Sequence, residues 1–175
     1  VDVAPGPDLY AVYGHSSLWV MDEPNNISEI YDYGVFDFHA PDFYTNFLMG
    51  KMQYRRVCHD LDDFLMQFYM EGRYVKARQL YLDSLPKQKL YNQLWINALP
   101  GNDTYHYDFV KDNCATQLQH MVDVACSGGV RWNYPIQRYT LKQLLHESMP
   151  DFYWTKFGYD LLLGAGSDTL MAPAM

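Results

Sequence analysis

The sequence predicts an α+β fold, and three observations predict it. Stretches with strand-like and helix-like spacing mix without βαβ regularity. Two extended runs near the start are separated by the turn signal Glu23-Pro24-Asn25-Asn26, which makes them a hairpin. The stretch Asp112-Asn113-Cys114-Ala115-Thr116 opens a run whose apolar residues Leu118, Met121, Val122 and Ala125 fall at helical spacing.

Taken in order, residues 2–8 form a Pro/Gly-rich lead-in. Residues 9–21 read as a strand interrupted by Gly14-His15-Ser16-Ser17, and residues 27–38, rich in Tyr, Val, Ile and Phe, read as its hairpin partner. Pro41 starts a short helix carrying Phe43, Phe47 and Leu48, because proline suits a first helical turn. Residues 52–58 read as a strand. Asp60 caps a helix through Met70, with Leu61, Phe64, Leu65 and Phe68 on one face. Alternation over residues 74–82 predicts another strand. Ser84 caps a helix with Pro86 in its first turn and Leu90, Leu94 and Ala98 along it. Residues 104–110 are a short extended piece leading to Cys114. A further helix starts near Thr140 and holds Leu141, Leu144 and Leu145; beyond Pro150 the chain is aromatic, then apolar, and residues 164–175 read as loose.

Composition narrows the function. At 175 residues the chain is expected to be one domain, residues 1–175, and 49% hydrophobic content rules out a disordered composition. A net charge of −8, with no basic run longer than Arg55-Arg56, argues against nucleic acid as a partner. No stretch of about 18 apolar residues occurs, so nothing here is expected to span a membrane. Closely spaced Cys or His pairs of the zinc-binding kind are missing, and no metal or cofactor is expected. Cys58 and Cys126 either pair with each other or stay reduced; the sequence leaves both open.

Cys114 carries the chemistry. Asp112 and Asn113 are good N-cap residues and Gly128-Gly129 closes the segment, so Cys114 falls in the first helical turn. Backbone N–H groups there lack intrahelical partners and the dipole end is positive. Both favour a thiolate over a thiol and can hold a developing oxyanion. The plainer alternative is a small buried hydrophobe. A cysteine nucleophile needs a base, and six histidines are available: His15, His39, His59, His106, His120 and His146. His15 stands out, because the polar tetrapeptide around it interrupts an apolar strand, as happens where a side chain is aimed into a cleft. His120 lies on another face of the Cys114 helix and is the poorer candidate. Asp32, between Tyr31 and Tyr33 on the partner strand, is costly there unless paired and is placed to accept from the imidazole of His15. Its alternative is a residue bonded only to backbone. Asp37 should face the opposite side of the sheet.

A histidine on a hairpin strand followed far downstream by a helix-capping Asn-Cys resembles the circularly permuted papain-like (NlpC-like) superfamily, which includes lecithin:retinol acyltransferase. The resemblance is closer to the N-terminal periplasmic domain of the Lnb-type lipoprotein N-acyltransferases. It rests on Ala4-Pro5-Gly6, Tyr13-Gly14-His15-Ser16, the run from Tyr31 to Phe38, Gly50-Lys51, the run from Tyr105 to Thr116 and the run from Tyr159 to Gly164, in that order along nearly the whole chain. Two positions depart from the pattern: Gln117 stands where members often carry arginine, and Val3 where a cysteine often precedes Ala-Pro-Gly.

The resemblance implies a circularly permuted papain-like fold, an antiparallel sheet packed against helices with the nucleophile at a helix N-terminus. It implies Cys114 as nucleophile, His15 as base and Asp32 as third member. It also implies a periplasmic thiol acyltransferase of the bacterial cell envelope. Such an enzyme takes a fatty acyl chain from phospholipid as a thioester and passes it to the N-terminal amine of a lipoprotein. Membrane association then runs through further hydrophobic segments, which these 175 residues do not include. A papain-like peptidase or amidase would use the same dyad with a different acceptor, and a non-enzymatic binding module would keep the fold without the pair.

Overall fold

The structure is a computed structural model that describes residues 1–8, 11–36, 53–108, 112–133, 139–149, 153–163 and 168. The expected helix at Pro41 lies outside the described residues, as do Asp37, His39 and the tail from 164 onward apart from Asp168. The chain forms two compact units. One joins Val1–Gly6 to Gly14–Val130 and the other joins Pro7–Tyr13 to Arg131–Met175.

The first unit is α+β with two antiparallel sheets. Its strands are β1 (Asp2–Val3), β2 (His15–Ser16), β3 (Leu18–Asp22), β4 (Ile27–Val35), β5 (Gln53–Asp60), β6 (Val75–Lys76) and β7 (Thr104–His106). Its helices are α1 (Leu61–Met70), α2 (Ser84–Ala98) and α3 (Cys114–Ala125). A four-stranded sheet runs in the order β3-β4-β5-β7, and a three-stranded one in the order β2-β1-β6.

Strand β4 is the centre of the larger sheet, and its alternating side chains feed two cores. Tyr31 and Tyr33 point to one face, where Leu90 and Leu94 of α2 and Leu118, Met121, Val122 and Ala125 of α3 cover them. Asn97 of α2 adds a hydrogen bond to the Tyr33 hydroxyl, 3.0 Å. Ile30 points to the other face, against Val3 of β1 and Phe64 and Phe68 of α1. Helix α1 starts where expected, with the Asp60 carboxylate accepting from the N–H of Asp62 at 2.8 Å.

The hairpin differs from expectation in an instructive way. Only Leu18–Asp22 pairs with β4. His15–Ser16 pairs instead with Asp2–Val3, inside what reads as a lead-in. The crossing from one sheet to the other falls at Ser17. Gly14, just before β2, has φ +72°, and a Cβ there would stand 2.8 Å from the carbonyl oxygen of Val3. A glycine is therefore required for β2 to run this close to β1. Strand β1 is held in turn by β6, and Arg73, itself buried, donates to the carbonyl of Ala4 at 2.7 Å. Of the strand expected over residues 74–82, only Val75–Lys76 forms.

In the second unit, helices α4 (Leu141–Ser148) and α5 (Tyr153–Leu163) are clipped together by Asp160, which accepts from His146 at 2.9 Å and pairs with Lys142 at 3.2 Å. Thr140 caps α4 reciprocally with Gln143, and the Tyr13 hydroxyl reaches the sulfur of the fully buried Met149, 3.4 Å. Among the described residues no helix is long and apolar enough to cross a membrane.

Candidate active site

Helix α3 begins at Cys114, as its sequence predicts. Asn113 is the N-cap: its side chain accepts from the N–H of Thr116 at 3.1 Å, while the Thr116 hydroxyl accepts from the N–H of Asn113 at 2.8 Å. This reciprocal box fixes the angle at which the chain enters the helix. Just before it, the backbones of Asp108 and Asp112 exchange two hydrogen bonds, 3.1 and 2.9 Å. Gln117 donates to the side chain of Asp112.

Two elements converge on the sulfur, β2 and α3 itself. The His15 side chain and the backbone N–H groups of Ser16 and Ala115 lie close enough to the Cys114 thiol to stabilise its thiolate. The Ala115 donor is one of the first-turn N–H groups that have no partner inside the helix. The Ser16 donor has a different origin. Strand β2 lies at the edge of its sheet, so its outward N–H is not used in a ladder and is free to meet the sulfur. Behind the imidazole, His15 Nε2 is hydrogen-bonded to Asp32 Oδ1. With Nε2 committed to Asp32, Nδ1 is the nitrogen left for Cys114.

Asp32 is 7% exposed and has company that the sequence did not reveal. The hydroxyl of Ser17, itself 1% exposed, donates to the same Oδ1 at 3.0 Å. His59 Nε2 stands 3.9 Å from Oδ2. Both have a signal in strand geometry: Ser17 is two residues from His15, and His59 pairs with Ile30, whose side chain shares a face with Asp32. Phe68 lies beside the His15 ring, centroids 6.5 Å apart, and limits its swing. The other histidines lie elsewhere: His106 and His120 are exposed, and His146 is tied to Asp160 in the second unit. Cys58, Cys114 and Cys126 are all free thiols. Among the described residues no group of three or more His, Cys, Asp or Glu side chains is arranged to hold a metal ion.

The electrostatics follow from the geometry. Burial alone would pull the His15 imidazolium toward neutrality, but the charge of Asp32, its hydrogen bond, and Cys114 outweigh burial and raise the pKa from 6.5 to about 10. Burial alone would push the Cys114 thiol up. The hydrogen bond and charge of His15, with the Ser16 and Ala115 N–H groups, outweigh it and hold the thiol below its ordinary value. The two shifts together favour a thiolate facing an imidazolium.

Strand β4 passes close to Cys114 at Gly34. Its pairing with β5 slips between Tyr33 and Val35, a bulge at Gly34, which has φ +92°. A Cβ at Gly34 would lie 3.7 Å from Cys114 Cβ, 3.6 Å from the Tyr107 ring and 3.7 Å from the Tyr105 hydroxyl.

Fold and site together define a class: an antiparallel α+β domain whose first-turn cysteine faces a histidine–aspartate pair. The particular family follows from comparison. Residues 3–147, most of the chain, match the family model of the Lnb N-terminal periplasmic domain, and the chain belongs to that family. The family's description is that of a periplasmic domain. No curated protein and no solved structure matches the chain.

Proposed function

We propose that this domain is a cysteine-dependent acyltransferase of circularly permuted papain-like fold that carries its acyl group as a thioester on Cys114. The observation that carries the reading is the chain of contacts from the Cys114 sulfur through His15 to Asp32, built at a helix N-terminus. The donor and acceptor, a phospholipid and the N-terminal amine of a lipoprotein, come from the resemblance to the Lnb-type enzymes and from the family to which the chain belongs. Membrane association belongs to the same proposal.

In the first half-reaction the thiolate attacks the ester carbonyl. A C–S bond forms and the π pair moves onto oxygen. Collapse breaks the C–O bond to the glycerol, whose oxygen takes the proton from the His15 imidazolium. In the second half-reaction the lipoprotein amine attacks the thioester carbon, and neutral His15 takes the amine proton. The C–S bond breaks and restores the thiolate. Ester and amine become alcohol and amide, and the enzyme returns to its starting state. Asp32 holds the ring in the productive orientation throughout.

Intact-mass spectrometry after incubation with phospholipid vesicles tests this. A fatty-acyl adduct on the wild type, absent from Cys114→Ala and His15→Ala variants that still melt cooperatively, is the expected result. An adduct retained in either variant rejects the mechanism. Free fatty acid appearing with no amide product in the presence of an amine acceptor favours hydrolysis instead.

A further inference from the structure

We propose that the Tyr105 hydroxyl is a donor of the oxyanion site beside Cys114, an inference that rests on the acyl-transfer reading. Tyr105 lies on β7 with 8% of its surface exposed. Its hydroxyl is buried and has no hydrogen-bond partner among the described residues. A buried orphan hydroxyl is unfavourable, and in a native fold it calls for an explanation. Position supplies one. The hydroxyl and Cys114 Cβ each lie 3.7 Å from the point where Gly34 would carry a Cβ, and the Tyr107 ring closes the same space at 3.6 Å. The bulge and its glycine thus let the phenol and the cysteine approach one position of β4 with no side chain of that residue between them. A tetrahedral centre formed on the sulfur projects an oxygen into its immediate surroundings, where this O–H is a side-chain donor without a partner among the described residues.

The phenol is also prepared for the task. The Arg56 guanidinium sits over the Tyr105 ring, 4.4 Å from its centroid, and is itself held by the carbonyls of Asn102 at 2.9 Å and Thr104 at 3.2 Å. This stack fixes the ring plane and places positive charge against the aromatic face. Burial, with Tyr107, Cys114 and Asp112 nearby, holds the phenol well above its ordinary pKa against the opposing pull of Arg56, so it remains a protonated donor. During attack the carbonyl π pair moves onto oxygen and that oxygen accepts from Tyr105. On collapse the carbonyl reforms, the leaving oxygen departs, and Tyr105 has neither gained nor lost a proton.

The test compares two reactions of Cys114 in wild type and Tyr105→Phe. Acylation by p-nitrophenyl octanoate passes through an oxyanion; alkylation by iodoacetamide, at a saturated carbon, does not. Tyr105→Phe is expected to slow first-turnover release of p-nitrophenolate on the order of 10²-fold. Its rate and pH profile of Cys114 alkylation should match the wild type. Its melting temperature should be equal or higher, since the deleted oxygen has no resting partner. Wild-type acylation in the variant overturns this inference and leaves the acyl-transfer reading intact. Parallel loss of both reactions, or a lowered melting temperature, assigns Tyr105 a structural role and also overturns it. A wild type that is alkylated but never acylated overturns the acyl-transfer reading and this inference with it.

Discussion

Replacing Asp32 with asparagine keeps the shape of the side chain and removes its charge, and so isolates what that charge does for the sulfur. His15 is lifted from 6.5 to about 10 because Asp32, helped by Cys114, overcomes the burial of the ring. In the variant the largest lifting influence is gone while burial remains, so His15 should return to about 6.5 or below. At about pH 7.5 such a histidine is protonated in roughly one molecule in ten, against nearly all molecules in the wild type. The reactive ion pair then falls about tenfold, and an amide that can present the wrong group to Nε2 adds to the loss. A decrease in acylation of roughly 10- to 10²-fold is expected at that pH. The assay is iodoacetamide alkylation across the pH range, read by peptide mass at Cys114, because Cys58 and Cys126 are also free. The wild-type rate should already be high near neutral pH, while the variant's should climb only toward the ordinary thiol value of 9.0. Superimposable profiles would refute the reasoning, since Asp32 would then not set the charge state of the pair.

Two further outcomes follow from the same geometry. The thiolate–imidazolium pair exists above the lowered pKa of Cys114 and below the raised pKa of His15, so the acylation rate should be bell-shaped. It is lost as pH falls and the sulfur is protonated, and lost again as pH rises through about 10 and His15 gives up the proton needed by the leaving oxygen; an alkaline limb near 7 would contradict this. Ser127 follows α3 at φ 55°, and its N–H and that of Gly128 bond back to Val124 and Asp123 at 3.1 and 2.9 Å, a helix end that prefers glycine at the position serine holds. Ser127→Gly should raise stability by about 0.5–1 kcal/mol in urea denaturation, the relief of left-handed strain exceeding the added chain entropy; an unchanged or lower midpoint would show that the serine is unstrained.

Much of the site was legible because its parts sit in elements with strong local signals. The Cys114 helix announces itself by cap and periodicity, and Asp32 by a carboxylate between two tyrosines, each a property of a few adjacent residues. What could not be read depends on contacts distant in sequence. Asp2–Val3 and Val75–Lys76 are strands of two residues, too short to show any period, yet they form the sheet that carries His15. Alternation over residues 74–82 imitates a longer strand, although most of those side chains face solvent and only the first few residues find a partner. Helix α5 reads as an aromatic tail because Gly158 and four aromatic residues at its start mask the helical pattern. Tyr105 enters the sequence reading only as the first residue of the run to Thr116, and its hydroxyl becomes distinctive only when it is found without a partner among the described residues.

Strand β4 carries the carboxylate on the same few residues that anchor both cores, with Ile30, Tyr31, Asp32 and Tyr33 all buried. Amides in such a segment exchange with solvent through the rarest openings of a protein, those close to complete unfolding. Asp32 therefore has little freedom to wander while the rest of the unit stays folded. Heat should dismantle the Cys114–His15–Asp32 arrangement only at the temperature where the fold itself melts.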